Sequence, residues 1–414
     1  MSTPVRIHAI AAGGDGIARA DDGKIIFVPG GLPNELLDIE IVENKRDFSR
    51  GRIIKVLDPS PDRREPSCPH VAAGCGGCGW QHVSLLAQTE LKLSIVVDAL
   101  RRIGRVVDPE NLVRSAPSLE VGGHRTTVRV AVSQGQAGFR ATGTNRVVVV
   151  DSCEVAHSAL ADLLANGDFS GVEEATMRVS SDAAELLVVA SPTAAGVSLS
   201  SLTNLTVTVI GDGVLDDATV ELPFLMEHIA GVPLRASAGA FFQTRPDGAE
   251  QLVRLVDQAL GDEDDLLLDL YGGVGLFAAT CGQRFATVVS VEENPIASAD
   301  AEFNLSGCLD AAVVTDDVGT WRPPHNMFSS RRVAIVADPS RAGLGRNGVD
   351  SIERLRPEVV VLVSCDAGSL GRDAKLLLDA GFELTESVVV DLFPHTPHVE
   401  VVSRFVPTTA RRDG

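Results

Sequence analysis

The sequence predicts a multidomain α/β protein with three parts, and three observations support this prediction. Short alternating apolar runs cut by Gly and Pro occupy residues 1–58, the pattern of a small OB-like β-barrel. Residues 59–235 begin with a cysteine-rich loop and return to β-type runs, which favours a central, mostly antiparallel β domain. Over 236–414, strand-like runs alternate with helix-like segments, and this alternation is typical of a doubly wound, Rossmann-like parallel sheet.

In the first part, glycines and a proline separate the strand-like runs, as turns do in small barrels. The runs are Val5–Ile10, Lys24–Val28, Leu36–Val42 and Gly51–Leu57. Small barrels of this kind often bind oligonucleotides, although many only support a neighbouring domain. The pattern alone leaves both roles open.

The charge of the chain is unevenly distributed. The formal net charge is −20 over 414 residues, yet residues 1–150 carry 19 Lys and Arg against 16 Asp and Glu. The remaining residues carry 17 against 40. The arginines of the first part are able to hold a polyanion, with modest non-specific affinity because no broad positive surface is predicted. The alternative is that these arginines are merely solvated.

Several features point to a cytoplasmic protein. No apolar run reaches the ~18 residues that a membrane span needs, and MSTPVRIHAI has no signal-peptide layout. The chain has 7 cysteines, an odd number, which fits a reducing compartment better than a disulfide framework. We expect no membrane partner and a monomer.

A cysteine-rich loop suggests a metal centre. Cys68, Cys75 and Cys78 lie close together with glycines between them, and Cys153 follows a later strand. Four thiolates suit either tetrahedral zinc or an iron–sulfur cluster by ligand count. A third reading is a loop that binds no metal.

Residues 84–103 are predicted to form an amphipathic helix that packs on the C-terminal part. Apolar residues recur there at helical spacing, at Leu85, Leu86, Leu91, Ile95, Val96 and Leu100.

The apolar run Val359–Val363 predicts a buried strand that stops at Ser364-Cys365, with a helix beginning near Asp366. Ligands bind at the carboxyl ends of strands in open α/β sheets, so Cys365 is a candidate nucleophile. The alternative is a buried core thiol, the usual role of an unpaired cysteine.

A second strand end predicts a nucleotide-like cofactor. The run Leu266–Leu270 is followed by Tyr271-Gly-Gly-Val-Gly, where glycines let the backbone approach a ligand. Glu292 ends the next strand at the position where an acid binds ribose hydroxyls, and Asp338 closes a later strand. The glycine spacing fits the dinucleotide fingerprint poorly, which favours S-adenosylmethionine over NAD.

Together these features resemble one family, the RNA uridine C5-methyltransferases with an N-terminal TRAM domain and a 4Fe-4S cluster. The resemblance covers nearly the whole chain. Residues 1–58 resemble the TRAM barrel, and 236–414 resemble the S-adenosylmethionine-dependent methyltransferase domain. The residues that match the cluster ligands are Cys68, Cys75, Cys78 and Cys153.

The resemblance also assigns the reaction site. Phe241-Phe-Gln243 is similar to an FxQ motif, and the residues matching cofactor-binding positions are Gln243, Tyr271, Glu292 and Asp338. Ser364-Cys365 resembles the nucleophile motif, and Phe393–Glu400 resembles the motif that ends in the general base. This implies Cys365 addition to uracil C6, methyl transfer to C5 and proton removal by Glu400.

The resemblance implies an RNA whose target base is flipped out or lies in a loop, with 23S rRNA favoured and tRNA as the alternative. Three local sequences depart from the family pattern: Asp338-Pro-Ser-Arg341, Ser364-Cys-Asp-Ala-Gly-Ser369 and Thr244-Arg245-Pro246. None of them removes a group that the chemistry requires.

Two other functions are considered. A methylase of another base or of protein would retain activity without Cys365. A non-catalytic RNA-binding protein with a vestigial methylase domain would have a broken cofactor site or would lack Cys365 or Glu400, and the sequence has both residues. For the metal centre, a 4Fe-4S cluster is preferred over zinc because of the resemblance.

Overall fold

A computed structural model describes residues 2–199, 205–217, 219–261, 265–308, 310–323 and 332–408. The N-terminal strands form one sheet in the order β1-β5-β6-β4-β3-β2. They are β1 (Ser2–Arg6), β2 (Ala9–Ile10), β3 (Gly16–Arg19), β4 (Ile25–Val28), β5 (Leu36–Asn44) and β6 (Phe48–Asp58). Alternate residues of these strands, such as Val28 and Ile39, point inward and form a small apolar core with Ile7, which follows β1.

The segment that follows connects this sheet to the rest of the molecule. Its elements are α1 (Pro69–Ala72), α2 (Leu85–Arg102) and β7 (Val113–Ser115). Helix α2 begins where the Ser84 hydroxyl accepts a hydrogen bond from the Ala87 amide, an N-cap that satisfies one orphan donor.

The central part is a sheet in the order β10-β9-β8-β12-β13-β15, antiparallel except for the β13–β15 pair. Its elements, with a small β11–β14 pair, are β8 (Thr127–Ser133), β9 (Gln136–Arg140), β10 (Val147–Val149), α3 (Ser158–Asn166), β11 (Asp168–Phe169), β12 (Glu174–Val179), β13 (Glu185–Ser191), β14 (Val197–Ser198) and β15 (Thr206–Gly211).

The C-terminal part contains a hairpin and the large sheet with its helices. The elements are β16 (Phe224–Ile229), β17 (Val232–Ser237), α4 (Pro246–Leu260), β18 (Leu266–Leu270), α5 (Leu276–Thr280), β19 (Thr287–Glu292), α6 (Pro295–Leu305), β20 (Ala311–Thr315), β21 (Val333–Ala337), α7 (Gly345–Leu355), β22 (Val359–Ser364), α8 (Ala367–Asp379), β23 (Phe382–Val390) and β24 (Glu400–Pro407).

The large sheet has the order β20-β19-β18-β21-β22-β24-β23-β7. Strands β18 to β22 are parallel to one another, whereas β24 runs antiparallel to both β22 and β23. Residues of β18, β21 and β22 are buried throughout, as expected for parallel strands covered on both faces. This confirms the predicted Rossmann-like sheet.

Two elements from residues 59–235 join this C-terminal layer. Strand β7 pairs with β23 in parallel, and α2 packs against α8. The packed face of α2 includes Ile95, Val96 and Leu100. Two of the predicted apolar contacts are absent, because Leu85 and Leu86 are exposed, Leu86 at 81%. Gln88 and Lys92 are buried instead, and their hydrogen bonds to the C-terminal part are described below.

The central sheet is connected to the C-terminal part by two neighbouring chain segments. The Gln251 amide donates to the Pro117 carbonyl at 2.9 Å, the Arg245 guanidinium donates to the Glu120 carbonyl at 2.9 Å, and the Thr126 amide donates to the Thr244 carbonyl at 2.8 Å. The chain therefore leaves for the central sheet and returns from it at the same place. Among the described residues, no helix has the length and apolarity that crossing a membrane requires.

Candidate active site

The candidate active site lies at the carboxyl edge of the large sheet. In the parallel ladder Leu270 pairs with Ala337, and Ala337 pairs with Leu362. Tyr271 and Asp338 therefore follow two adjacent strands directly, and Cys365 follows the end of the next strand. Because parallel strands share one carboxyl edge, these three residues lie along the same side of the sheet.

Strand β24 brings Glu400 to the same edge from the opposite direction. Ser364 pairs with Val401 at the end of the antiparallel ladder between β22 and β24, so Cys365 and Glu400 each lie one residue beyond this last pair. Glu400 also pairs with Val390 on the other side. Glu400 is buried and Cys365 is half-buried. The candidate nucleophile and the candidate base thus lie at the same end of two paired strands.

Four ionisable groups influence one another at this edge. Burial, then the charges of Glu400 and Asp338, raise the pKa of the Cys365 thiol to about 11. Burial and the charge of Asp338 raise the pKa of Glu400 well above its usual range, and burial raises the pKa of Asp338 to about 7. The Arg341 guanidinium opposes these effects and lowers the pKa of both Cys365 and Glu400.

Arg341 was not among the site residues predicted from the sequence. It is exposed and lies three residues after Asp338, in the Asp-Pro-Ser-Arg segment that differs from the family pattern. The sequence contained a signal for Arg341, because an arginine close to a strand-end carboxylate can balance the negative charges that collect at one edge of the sheet.

Asp366 sets the geometry next to Cys365. Its carboxylate accepts a hydrogen bond from the Ser369 amide at 2.7 Å, and the Ser369 hydroxyl donates to the Asp366 carbonyl at 3.0 Å. Asp366 is therefore the N-cap of α8. The departure from the family pattern here preserves a capping side chain, and Cys365 lies at a helix N-terminus, where a thiolate is favoured.

The glycine turn after β18 is held by Glu292. The Gly273 amide donates to one Glu292 carboxylate oxygen at 2.9 Å and the Asn294 amide donates to the other at 2.7 Å. Gly273 has a positive φ of 55°, a conformation that glycine adopts without strain. Tyr271 follows the strand with φ 59° and its hydroxyl lies against Gly348, where a Cβ would be 2.7 Å away.

Gly272 and two polar atoms lie under this turn. A Cβ on Gly272 would lie 2.2 Å from the Ser290 hydroxyl oxygen. Asp269 is fully buried, and the Ala278 amide donates to one of its oxygens at 2.9 Å. The other Asp269 oxygen and the Ser290 hydroxyl have no hydrogen-bond partner among the described residues. The turn is a backbone cradle with unused polar atoms, which fits a bound cofactor.

Gln243 lies elsewhere along the chain, on the segment that leads into α4. It is half-buried between Phe242, which is buried, and Thr244, whose carbonyl bonds to the central sheet. Phe241 is 69% exposed. In the part of the chain that the structure describes, no hydrogen bond joins the Gln243 side chain to the strand-end residues.

The four cysteines of the predicted metal centre line one cavity of about 220 Å³ together with Arg125. Burial and the neighbouring thiols raise the pKa of Cys78 to about 12 and also raise the pKa of Cys75. The Arg125 guanidinium lowers the pKa of Cys78. Thiols gathered in this way ionise readily only when a cation compensates their charge.

The same cavity can be tested against the two metal centres. Among the described residues, no group of three or more His, Cys, Asp or Glu side chains is arranged to hold a metal ion. Tetrahedral zinc requires four sulfurs within about 2.3 Å of one point. A cluster binds each cysteine through a different iron, so its ligands converge on a volume. Four cysteine sulfurs that line one cavity are donors of the type that both centres use.

Comparison with known proteins places the chain in a family. Residues 3–54 match the TRAM domain. An uncharacterized RNA methyltransferase of Streptomyces coelicolor is 32% identical, with 97% of this chain and 92% of that protein aligned. The 23S rRNA (uracil(1939)-C(5))-methyltransferase RlmD of Erwinia tasmaniensis is 30% identical over 97% of this chain and 95% of its own. The chain belongs to the RNA (uracil-C5)-methyltransferase family.

A solved structure from the same family has the same fold. The Pyrococcus abyssi tRNA (uracil-54, C5)-methyltransferase, crystallised with S-adenosyl-L-homocysteine, superimposes with a TM-score of 0.74 over 98% of this chain and 100% of that one. Sequence identity is 23%, so this likeness concerns the fold. Family membership confirms the predicted enzyme class, an RNA (uracil-C5)-methyltransferase that uses S-adenosylmethionine.

Proposed function

We propose that this enzyme methylates C5 of a uridine in RNA, with 23S rRNA as the favoured substrate and S-adenosylmethionine as the methyl donor. The observation that carries the proposal is the cross-strand position of Cys365 and Glu400 beside Asp338 and Arg341. A nucleophile and a base on adjacent strands suit a reaction in which both act on the same pyrimidine ring. The RlmD relatives support the choice of 23S rRNA.

In the proposed reaction the Cys365 thiolate adds to C6 of the uracil, forming a C–S bond and converting the ring to an enolate. This makes C5 a carbon nucleophile, which would take the methyl group that bound S-adenosylmethionine supplies, and the methyl–sulfur bond would break to leave S-adenosylhomocysteine. Glu400 accepts the C5 proton as the carboxylate, the form that the Arg341 guanidinium favours against burial and the charge of Asp338. The electrons of the C5–H bond restore the C5–C6 double bond, and the C6–S bond breaks to release the Cys365 thiolate.

The thiol must first lose its proton. Burial, then the charges of Glu400 and Asp338, raise its pKa to about 11, so the neutral thiol predominates at pH 7. Arg341 and the N-terminus of α8 are the groups that favour the thiolate. We assign Arg341 the role of balancing the charge of Cys365 as the adduct forms.

The residues proposed to hold S-adenosylmethionine are Gln243, Tyr271, Glu292 and Asp338. When bound, it supplies an electrophilic methyl group on a sulfonium. Glu292 is already oriented by two backbone amides, and the glycine turn exposes backbone to the ligand. The half-buried position of Gln243 on the segment before α4 is compatible with a contact to the cofactor or to the uracil edge.

We propose that Cys68, Cys75, Cys78 and Cys153 bind a 4Fe-4S cluster with a structural or RNA-positioning role. Methyl transfer itself moves no electrons between redox centres, so the cluster needs no redox step. The TRAM domain and the arginine-rich first part are proposed to bind the RNA. We propose that residues 1–58 and 59–235 hold the RNA and that residues 236–414 carry out the reaction. The protein is proposed to be a cytoplasmic monomer.

The experiment that tests this function uses RNA containing 5-fluorouridine. Fluorine cannot leave as a proton, so the adduct between the Cys365 sulfur and C6 should persist through denaturation. Intact mass and gel shift should show protein–RNA adduct with 23S rRNA fragments and S-adenosylmethionine, and none with Cys365→Ala. Cys308→Ala serves as the matched control because Cys308 lies away from the site.

The RNA that forms the covalent adduct shows whether 23S rRNA or tRNA is the substrate. Adduct with tRNA and none with 23S rRNA would assign the substrate to tRNA. No adduct with either RNA, from protein that still binds S-adenosylmethionine, would contradict the uracil-C5 mechanism and favour a methylase of another kind.

A further inference from the structure

We propose that Lys92 of α2 is a positioning residue for Glu400, which it orients through the loop 391–399. The inference rests on the proposed function of Glu400 as the base. The loop joins β23 to β24, and its two ends are the paired residues Val390 and Glu400. Glu400 is therefore the first residue after the loop, and any displacement of the loop is transmitted directly to the end of the strand that carries it.

Lys92 is a buried cation that holds the start of this loop. Its ammonium group donates to the Asp391 carboxylate at 2.6 Å and to the Phe393 carbonyl at 2.9 Å. The Lys92 side chain is 1% exposed and that of Asp391 is 24% exposed. A lysine is seldom buried on a packed helix face unless it is paired. These bonds run from α2 to a loop about 300 residues later in the sequence.

A second residue of α2, Gln88, holds the middle of the loop. The His395 amide donates to the Gln88 side-chain oxygen at 2.7 Å, and the Trp80 amide donates to the His395 carbonyl at 2.7 Å. His395 has φ 65°, a left-handed conformation that costs energy in a non-glycine residue. Because both backbone groups of His395 are bonded, the strained conformation is maintained by contacts from outside the loop.

The N-terminal sheet touches the same loop at its far end. A Cβ on Gly14 would lie 2.7 Å from Pro397 Cβ and 2.9 Å from the Trp80 indole nitrogen. That nitrogen donates to the Gly14 carbonyl at 3.3 Å. The loop is thus held by α2 at its start and middle and by the TRAM domain near its end. Gln88 and Lys92, which make the bonds to the loop, occupy the packed face of α2. The apolar pattern predicts Leu85 and Leu86 on that face instead.

The test separates the step that needs Glu400 from the step that needs Cys365. With 5-fluorouridine RNA the adduct requires the nucleophile, whereas release of adduct formed with ordinary uridine RNA requires removal of the C5 proton. In Lys92→Met, which keeps the buried stem and removes the charge, we expect formation of the fluorinated adduct within about 3-fold of the wild-type rate. We expect release with ordinary RNA to slow about 10- to 100-fold, so that methylated adduct accumulates.

Three further variants serve as controls for Lys92→Met. Glu400→Gln should accumulate the same adduct, and Lys375→Met, an exposed lysine paired with Asp379 on α8, should behave as wild type. The double variant Lys92→Met with Asp391→Asn removes the partly buried carboxylate that Lys92→Met leaves without its cation, so its melting temperature should recover while release stays slow. Release at the wild-type rate in Lys92→Met overturns the inference, as does an equal loss of both steps.

A second variant pair tests the loop without changing α2. Gly14→Ala places a methyl group against Pro397, whereas Gly23→Ala has the same positive φ, 86° against 89°, and open space around it. Accumulation of adduct in Gly14→Ala and its absence in Gly23→Ala would support the positioning role of the loop. The same behaviour in both variants would contradict it. If wild-type enzyme forms no fluorinated adduct at all, the proposed function itself fails.

Discussion

Glu400 and Cys365 each lie one residue beyond the last pair of the β22–β24 ladder, Ser364 with Val401. The pairing of β24 with β22 therefore brings the candidate base to the end of the strand that precedes the candidate nucleophile, and the loop 391–399 ends at Glu400. The same proximity has an electrostatic cost, since Glu400 raises the pKa of the thiol.

Removing the cation beside this pair should slow the first chemical step. In Arg341→Met the pKa of Cys365 should rise further, because Arg341 is the charged side chain that lowers it. We expect formation of the 5-fluorouridine adduct at pH 7.5 to slow about 10-fold or more. Arg346→Met, at an exposed position of α7, is the control and should leave the rate unchanged. Equal rates in both variants would contradict the role of Arg341.

The reactivity of the free thiol should increase steeply with pH. The thiolate is the reactive form, and the pKa of Cys365 in the free protein is raised to about 11. Alkylation of Cys365 by iodoacetamide should therefore accelerate about tenfold per pH unit between pH 7 and pH 10. Peptide mass spectrometry measures the reaction at Cys365 alone. A plateau below pH 9 would mean that the thiol ionises more easily than its surroundings indicate.

The close packing under the glycine turn predicts that a second substitution restores the stability that a first one removes. Gly272→Ala forces a methyl group against the Ser290 hydroxyl, and we expect a loss of about 1–3 kcal/mol in the free energy of unfolding. Ser290→Ala should cost little, because this hydroxyl has no partner among the described residues. The double variant should recover most of the stability and of the affinity for S-adenosylmethionine. Thermal unfolding and calorimetric titration measure both quantities, and additive losses would refute the packing argument.

The cysteine cavity predicts a spectroscopic signature. Protein purified without oxygen should be brown, with absorbance near ~400 nm, and should contain iron and acid-labile sulfide. Cys78→Ser should lose the absorbance, whereas Cys281→Ser, a buried cysteine outside the cavity, should keep it. Stoichiometric zinc without iron in the native protein would replace the cluster with a zinc site.

Much of the site could be read from local sequence, because strand ends and glycine turns have local signatures. The ends at Tyr271, Asp338 and Cys365 lie together as expected, since parallel strands share one carboxyl edge. Glu400 was found through family resemblance alone. Its strand reverses direction, and no local pattern fixes which strand an antiparallel neighbour joins.

Other features depend on tertiary contacts that leave no periodic signal. Strand β7 is three residues long, Val113–Ser115, and its place beside β23 follows from the path of the chain. The apolar spacing of α2 predicted Leu85 and Leu86 inside and gave no reason to bury Gln88 and Lys92. Their burial is explained by hydrogen bonds to a loop at the other end of the sequence. The spacing of apolar residues in a helix shows which face is apolar, but it carries no information about hydrogen-bond partners that are distant in the sequence.

The chain leaves for the central sheet and returns from it through adjoining segments, joined by the bonds of Thr126 to Thr244 and of Gln251 to Pro117. A domain whose two ends lie side by side can be lengthened, exchanged or shed while the host fold stays intact. Replacement of the central sheet alone could therefore change which RNAs these enzymes bind. The large sheet, with the proposed nucleophile and base at the ends of two paired strands, would be inherited unchanged.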